Sequence, residues 1–382
     1  MIDKQPEPIA PISARNYGID LLRIVSMIMI VFLHLVSHSD LMESIGFLST
    51  KYEAVRFVDT FMGCAVDSFA LISGFVGYGH KFKYSKLIYL WFEVVFYGLG
   101  ITLITKAISP ESVSGSSILS NCFPVLFCNN WYFASYFCMA FFVPAFNFLI
   151  EKMSFRKMSC LIVVSIGLFS VMQNLPVNRF MYGDIFCTMS GYSPLWLSVL
   201  YILGAYLHKY KVHHRKPIFY LFMYFVSSLA TFIYKAGIEV VWYYIFGSKL
   251  NNITDYTTPT VLLSAIFLVL FFSSITITDK KTIALISFFA PASFGVLLIH
   301  ENGYLQPLLY GNLNVFYGFN TALLIAILLG LALTIWLICS LIDKLRFVLF
   351  KLLRVMKLCC FLENWYYKIL DRVLNAVQKV VI

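Results

Sequence analysis

Residues 17–37 read YGIDLLRIVSMIMIVFLHLVS. After Arg23 the run is apolar and, at about 1.5 Å per residue, long enough for a bilayer core that takes roughly 20 residues. Two residues are wrong for a plain anchor: Arg23 near its start and His34 near its end. At roughly 100° per residue they share one helix face, about 16 Å apart along the axis. An ionisable side chain inside a span is costly and marks a functional site by default. The rest of the chain reads as a scaffold around this helix and its two polar groups.

The 382 residues are 60% hydrophobic and only 13% charged, where a soluble domain carries about 25% charged residues. That is the composition of an integral membrane protein. The opening segment is polar and Pro-rich, the first apolar run is too long for a signal-peptide core, and no small-residue cleavage site follows it. An uncleaved first span is therefore expected. The formal charge of +10 would suit nucleic acid in a soluble chain. In one this apolar, Lys and Arg flank the spans on the cytoplasmic side, and no nucleic-acid partner is expected. Most of the nine cysteines sit in apolar runs, and no CxxC or CxxH spacing points to a metal. Cys122, Cys128 and Cys187 fall in loops and could form a disulfide.

Apolar runs separated by short charged segments give ten candidate spans: 17–37, 57–79, 86–107, 131–150, 159–175, 193–209, 217–235, 259–278, 283–300 and 317–342. With the N-terminus inside, 23 of the 29 Lys and Arg residues fall on the inner side. Both termini are accordingly expected in the cytoplasm. The outer loops are long, and 301–316 (ENGYLQPLLYGNLNVF) has no Lys or Arg and suits a re-entrant segment. The tail alternates basic and apolar residues, as an amphipathic helix on an anionic membrane surface does. The expectation is an all-α, polytopic membrane helical bundle of about ten transmembrane helices plus a C-terminal amphipathic helix. It divides into an N-terminal segment 1–16, a membrane domain 17–342 and a tail 343–382, with membrane lipids as partners.

Few groups within the spans can carry chemistry. Histidine titrates near neutral pH, so His34 is the natural general base for a hydroxyl. Arg23 and the cluster Lys81, Lys83 and Lys86 suit phosphate groups arriving from the cytosol. His300 and Glu301 end the ninth span on the outer side, Asp67 lies in the second and Glu93 in the third. Each has a plainer alternative. His34 could be an interhelical hydrogen-bond partner, Arg23 could snorkel, the lysines could only set topology, and Asp67 could be structural. On these residues alone a transporter and a transmembrane enzyme are nearly tied.

Five motifs add a resemblance. Asp20 and Arg23 are followed by His34. VDSFALISGF (66–75) contains Ser73 and Gly74. NNWYFASYFCMAFFVPAFNFLI (129–150) contains Trp131, Tyr132, Tyr136, Pro144 and Asn147. LYILGAYLHKY (200–210) and SFGVLLIHEN (293–302) complete the set. In this order they resemble the membrane acyltransferase family 3, whose members acylate bacterial surface polysaccharides. The resemblance implies an acyl-CoA donor, acetyl-CoA in the simplest case, entering from the cytosol as a substrate rather than a permanently bound cofactor. It implies a glycan or lipid-linked glycan acceptor at the outer face, and a multi-pass protein of the bacterial inner membrane. The family's arginine carries over to Arg23 as a donor-binding group and its histidine to His34 as the base. The chain departs from the family in HKFKYSKLIYLWFE (80–93), where many members have Arg-x-x-Arg followed by Pro. Lys83 and Lys86 stand there instead, without arginine's bidentate fork.

The resulting expectation is an integral membrane O-acyltransferase, an O-acetyltransferase in its simplest form. His34, oriented by Asp67, is the expected catalytic pair. Arg23, Lys83 and Lys86 bind the donor, His300, Glu301 and Trp131 line the acceptor mouth, and no metal is required. The alternative is a transporter or flippase of a polysaccharide intermediate or acyl donor, using the same polar path without chemistry.

Overall fold

In a computed structural model, residues 15–381 are described, except 213, 214, 251 and 252. The N-terminal segment before Arg15, and with it Lys4, lies outside the described residues, as do His213 and His214. The helices in chain order are α1 (Tyr17–Ser37), α2 (Leu41–Ser44), α3 (Thr50–Met62), α4 (Ala65–Gly77), α5 (Tyr84–Ile108) and α6 (Gly115–Cys122). There follow α7 (Trp131–Ala140), α8 (Val143–Lys152), α9 (Phe155–Ile166), α10 (Pro194–Lys209), α11 (Pro217–Phe246) and α12 (Pro259–Ser273). The last five are α13 (Lys280–Phe289), α14 (Ser293–His300), α15 (Gln306–Tyr310), α16 (Thr321–Leu352) and α17 (Val355–Val381). No strand occurs among the described residues. The protein is an all-helical, multi-pass membrane protein.

The expected count of about ten spans is approximate. Among the described residues seven helical stretches are long and apolar enough to cross a membrane, or up to eight if the bent pair α7–α8, angled by 54°, counts as one. Two of the ten expected segments form the shorter helices α10, of 16 residues, and α12, of 15 residues. Both helices begin with proline in the first turn close to the expected starts, and α12 ends at Ser273, ahead of the expected 278. Residues 301–316 contain α15 and a 3-10 turn at Leu313–Phe316. The expected boundary at 342/343 falls inside α16, which runs on to Leu352.

The first helix is the axis of the bundle. Asn16 caps it, its Oδ1 accepting from the Ile19 N–H at 3.1 Å. Of the most apolar stretch of α1, 67% of residues are buried within the protein, against 28% for α5, α11 and α16. It packs against α3, α4, α12, α13, α14 and α16. The outer helices turn Leu103, Ile104, Leu337 and Ile338 outward, as lipid-facing surfaces do.

Close helix approach in lipid needs small residues or buried polar bonds, and both occur. A Cβ on Gly74 of α4 would overlap the Tyr201 carbonyl of α10, and one on Gly204 of α10 would overlap the Leu71 carbonyl of α4. Beside this crossing the Trp196 Nε1–H donates to Asp67 Oδ1 at 3.1 Å. A second tie joins α5 to α16. Arg346 donates from Nε and Nη2 to the two oxygens of Asp343 at 2.7 and 3.1 Å, and Nη2 lies 3.1 Å from Glu93. The Tyr97 hydroxyl donates to the same Asp343 at 2.7 Å. A third tie pairs Arg56 of α3 with Glu239 of α11.

Candidate active site

His34 lies in the last turn of α1, where the helix meets the end of α14. Its Nδ1 stands 2.5 Å from Glu301 Oε2 and 3.0 Å from His300 Nε2. His300 is fully buried, and its Nδ1 lies 2.6 Å from the Val296 carbonyl. A carbonyl only accepts, so the proton of neutral His300 sits on Nδ1 and leaves Nε2 as an acceptor. His34 must then carry its own proton on Nδ1, where both neighbours accept. By elimination the lone pair of neutral His34 is on Nε2, the nitrogen that makes none of these contacts.

Glu301 is held on several sides. Its Oε1 lies 3.0 Å from His38 Nε2 and accepts from the Gln306 side-chain amide at 2.9 Å. Burial alone would raise the Glu301 carboxyl, but the hydrogen bond from His34 and the charges of the neighbouring histidines hold it below its ordinary value. The His38 ring stacks on Tyr310, whose hydroxyl donates to the His300 carbonyl at 3.2 Å. Sequence alone gives no sign of this supporting layer, because its members come from separate segments.

Three cavities meet near this cluster. A narrow chamber of about 40 Å³ is lined by His34, Glu301, Asn130, Trp131 and Tyr132 among others. A larger cavity of about 490 Å³ lies toward the start of α1 and is lined by Arg23, Ser73, Lys81, Lys83, Lys86 and Asn147. Phe69, Tyr132 and Phe294 line both and form their common wall. A third cavity of about 340 Å³ shares Asn130 and Glu301 with the chamber. One of the three is basic, the chamber is aromatic, and the third contains no Lys, Arg or His among its lining residues.

The expected residues fall as follows. Arg23, Lys83 and Lys86 converge on one cavity, and Arg23 is aimed by Asp20, which it meets at 2.8 Å while Arg15 holds the other carboxylate oxygen at 2.6 Å. Trp131 and Glu301 line the chamber. Two expectations change. The carboxylate against His34 is Glu301 of the α14 terminus, whereas Asp67 is buried against Trp196. His300 stands behind His34 in the interior and not at a mouth. All nine cysteines are free, so the loop disulfide is absent.

His34, His300 and Glu301 are also a donor set that could surround a metal ion, with ligand atoms within 4.8 Å of one another. Two of those spacings, 2.5 and 3.0 Å, are hydrogen-bond distances. Shared protons account for them, and no chemical step below uses a metal.

No curated protein and no solved structure matches the chain. A family model does: the acyltransferase domain of the acyltransferase 3 family matches residues 16–342, from the cap of α1 into α16. The match takes in His34, Glu301 and all three cavities, and on it the chain belongs to the acyltransferase 3 family of membrane acyltransferases.

Proposed function

We propose that the protein moves an acyl group, acetyl in the simplest case, from cytosolic acyl-CoA to a hydroxyl of a surface glycan or its lipid-linked precursor. The observation that carries this is the position of His34 on a chamber that shares walls with a basic cavity on one side and, on the other, with a polar cavity lined by no Lys, Arg or His. The donor's phosphates meet Arg23, Lys81, Lys83 and Lys86, and its extended arm places the thioester past Phe69, Tyr132 and Phe294. His34 Nε2 takes the acceptor hydroxyl's proton, and the oxygen attacks the thioester carbonyl carbon. The tetrahedral intermediate collapses with cleavage of the C–S bond. The imidazolium returns its proton to the departing sulfur, leaving an ester and free CoA. Glu301 holds the Nδ1 proton and offsets the charge on the imidazolium while it lasts.

In this reading the basic cavity faces the cytoplasm of a bacterial inner membrane, and the bias of Lys and Arg to one side supports that orientation. Membership in an acyltransferase family favours this reaction over transport. The test is CoA release by the purified protein from acetyl-CoA with a surface-glycan extract. Wild type should release CoA and yield acylated glycan, while His34→Ala should bind donor and release none. A folded His34→Ala variant with wild-type turnover would overturn the proposal.

A further inference from the structure

The third cavity lies on the far side of the chamber from the lysines, and nothing in the donor chemistry uses it. Its walls include Ser117, Ser120, Asn121, Asn129, Asn302 and Tyr304. They come from three places: α6, the residue just before the cap of α7, and the turn after α14. A volume of about 340 Å³ is within the ~300–1,000 Å³ of small-molecule sites.

The polar groups are held in place. A Cβ at Gly98 would overlap Asn121 Oδ1, so the glycine lets that amide lie against α5. Asn121 Nδ2 donates to Thr102 Oγ1 at 3.0 Å and to the Ser117 carbonyl at 2.8 Å. Its Oδ1 accepts from Asn129 Nδ2 at 3.1 Å. Asn302 Oδ1 accepts from the Tyr304 N–H at 3.1 Å, which leaves its Nδ2 protons to donate. Asn302 Nδ2 offers donors, and Asn129 Oδ1 with the remaining lone pairs of the Ser117 and Ser120 hydroxyls offers acceptors, the pattern that complements sugar hydroxyls.

The charge balance narrows the ligand further. Glu301 is the one charged residue of the lining, and its partners His34 and His38 stand outside that lining. A carboxylate or phosphate on the ligand would meet that carboxylate with no Lys, Arg or His of the cavity wall to pair with, whereas an uncharged polyol needs no such partner. Because Glu301 and Asn130 also line the His34 chamber, a ring seated here can present a hydroxyl to Nε2.

We propose that this cavity is the acceptor site and that it selects an uncharged sugar unit, held by Asn129 and Asn302, over an acidic one. The assignment rests on the acyltransferase function above. It is tested by binding as well as by turnover, so the two can fail separately. Saturation-transfer NMR on the full-length protein in nanodiscs, with methyl hexosides and the corresponding hexuronates as probes, reads binding without any reaction. At least one methyl hexoside should bind the wild type and the hexuronates should bind at least tenfold more weakly. Asn129→Leu and Asn302→Leu, both at loop positions, should each weaken hexoside binding at least tenfold. Acetyl-CoA binding, measured by calorimetry, should stay within twofold in both variants and so shows that each is folded. Equal or stronger hexuronate binding, no hexoside binding at all, or unchanged binding in both variants overturns the site. Hexoside binding as expected with no CoA release from any donor keeps the site and overturns the acyltransfer function instead.

Discussion

At the scale of single residues, the centre of the account is the order of protons along Val296, His300 and His34. The chain of contacts leaves Nε2 of neutral His34 basic only while Nδ1 keeps its proton. Glu301 is the carboxylate that keeps this proton in place. The folded protein holds that carboxyl below its ordinary value, so its contribution to stability is fully present above about pH 4.3 and is lost only as pH falls through the lowered value. Thermal melts should show the gap between wild type and Glu301→Gln as constant near neutrality and closing in acid. At the other end of α1, Arg23→Lys should raise the half-saturating acyl-CoA concentration about tenfold, because an ammonium cannot reproduce the guanidinium fork. A titration of CoA release checks this. Arg23 and His34 were legible from the sequence because one helix fixes their relation. Glu301 as the partner of His34 was not, since spacing along α1 cannot say which carboxylate of another element closes on it. Asp67, nearer in sequence, was the plausible and mistaken choice.

At the scale of elements, the bundle rests on a few close crossings. Gly204→Leu should push α10 off α4, where there is no room for a side chain, at a cost of about 1–3 kcal/mol. Loss of melting temperature in detergent measures it. Arg346→Ala should cost more, about 3–5 kcal/mol, because it strands the buried carboxylates of Asp343 and Glu93 between α5 and α16. The sequence placed Asp343 and Arg346 in a surface tail. The signal against that was their spacing of three within a continuing apolar helix, which puts both on one face. The start and end of α1 followed from its cap and apolar run. The early end of α12 did not, because apolar residues beyond a helix end add to hydropathy without being helical.

At the scale of the whole molecule, charge is sorted along the bundle. Arg23 and three lysines line one cavity, and the cavity beyond the chamber has no basic residue in its lining. Donor binding should weaken several-fold between about 0.01 and about 1 M salt, as screening shortens, while binding of an uncharged sugar should be unaffected. Parallel calorimetric and NMR titrations decide this. The count of Lys and Arg showed the asymmetry in advance. The amide-rich cavity was harder to see. Its residues lie almost two hundred positions apart, and the available signal was a run of Ser and Asn without Lys or Arg in 108–130.

The central claim is that His34 and Glu301 act as one unit in acyl transfer. It is tested most directly by single-turnover CoA release in wild type, His34→Ala, Glu301→Gln and the double variant, with acetyl-CoA binding followed in the same preparations. The account predicts that each single change slows release by about 10²-fold or more, that the double variant is no slower than His34→Ala, and that all four bind donor. Release at the wild-type rate in Glu301→Gln, or losses that multiply in the double variant, would contradict it.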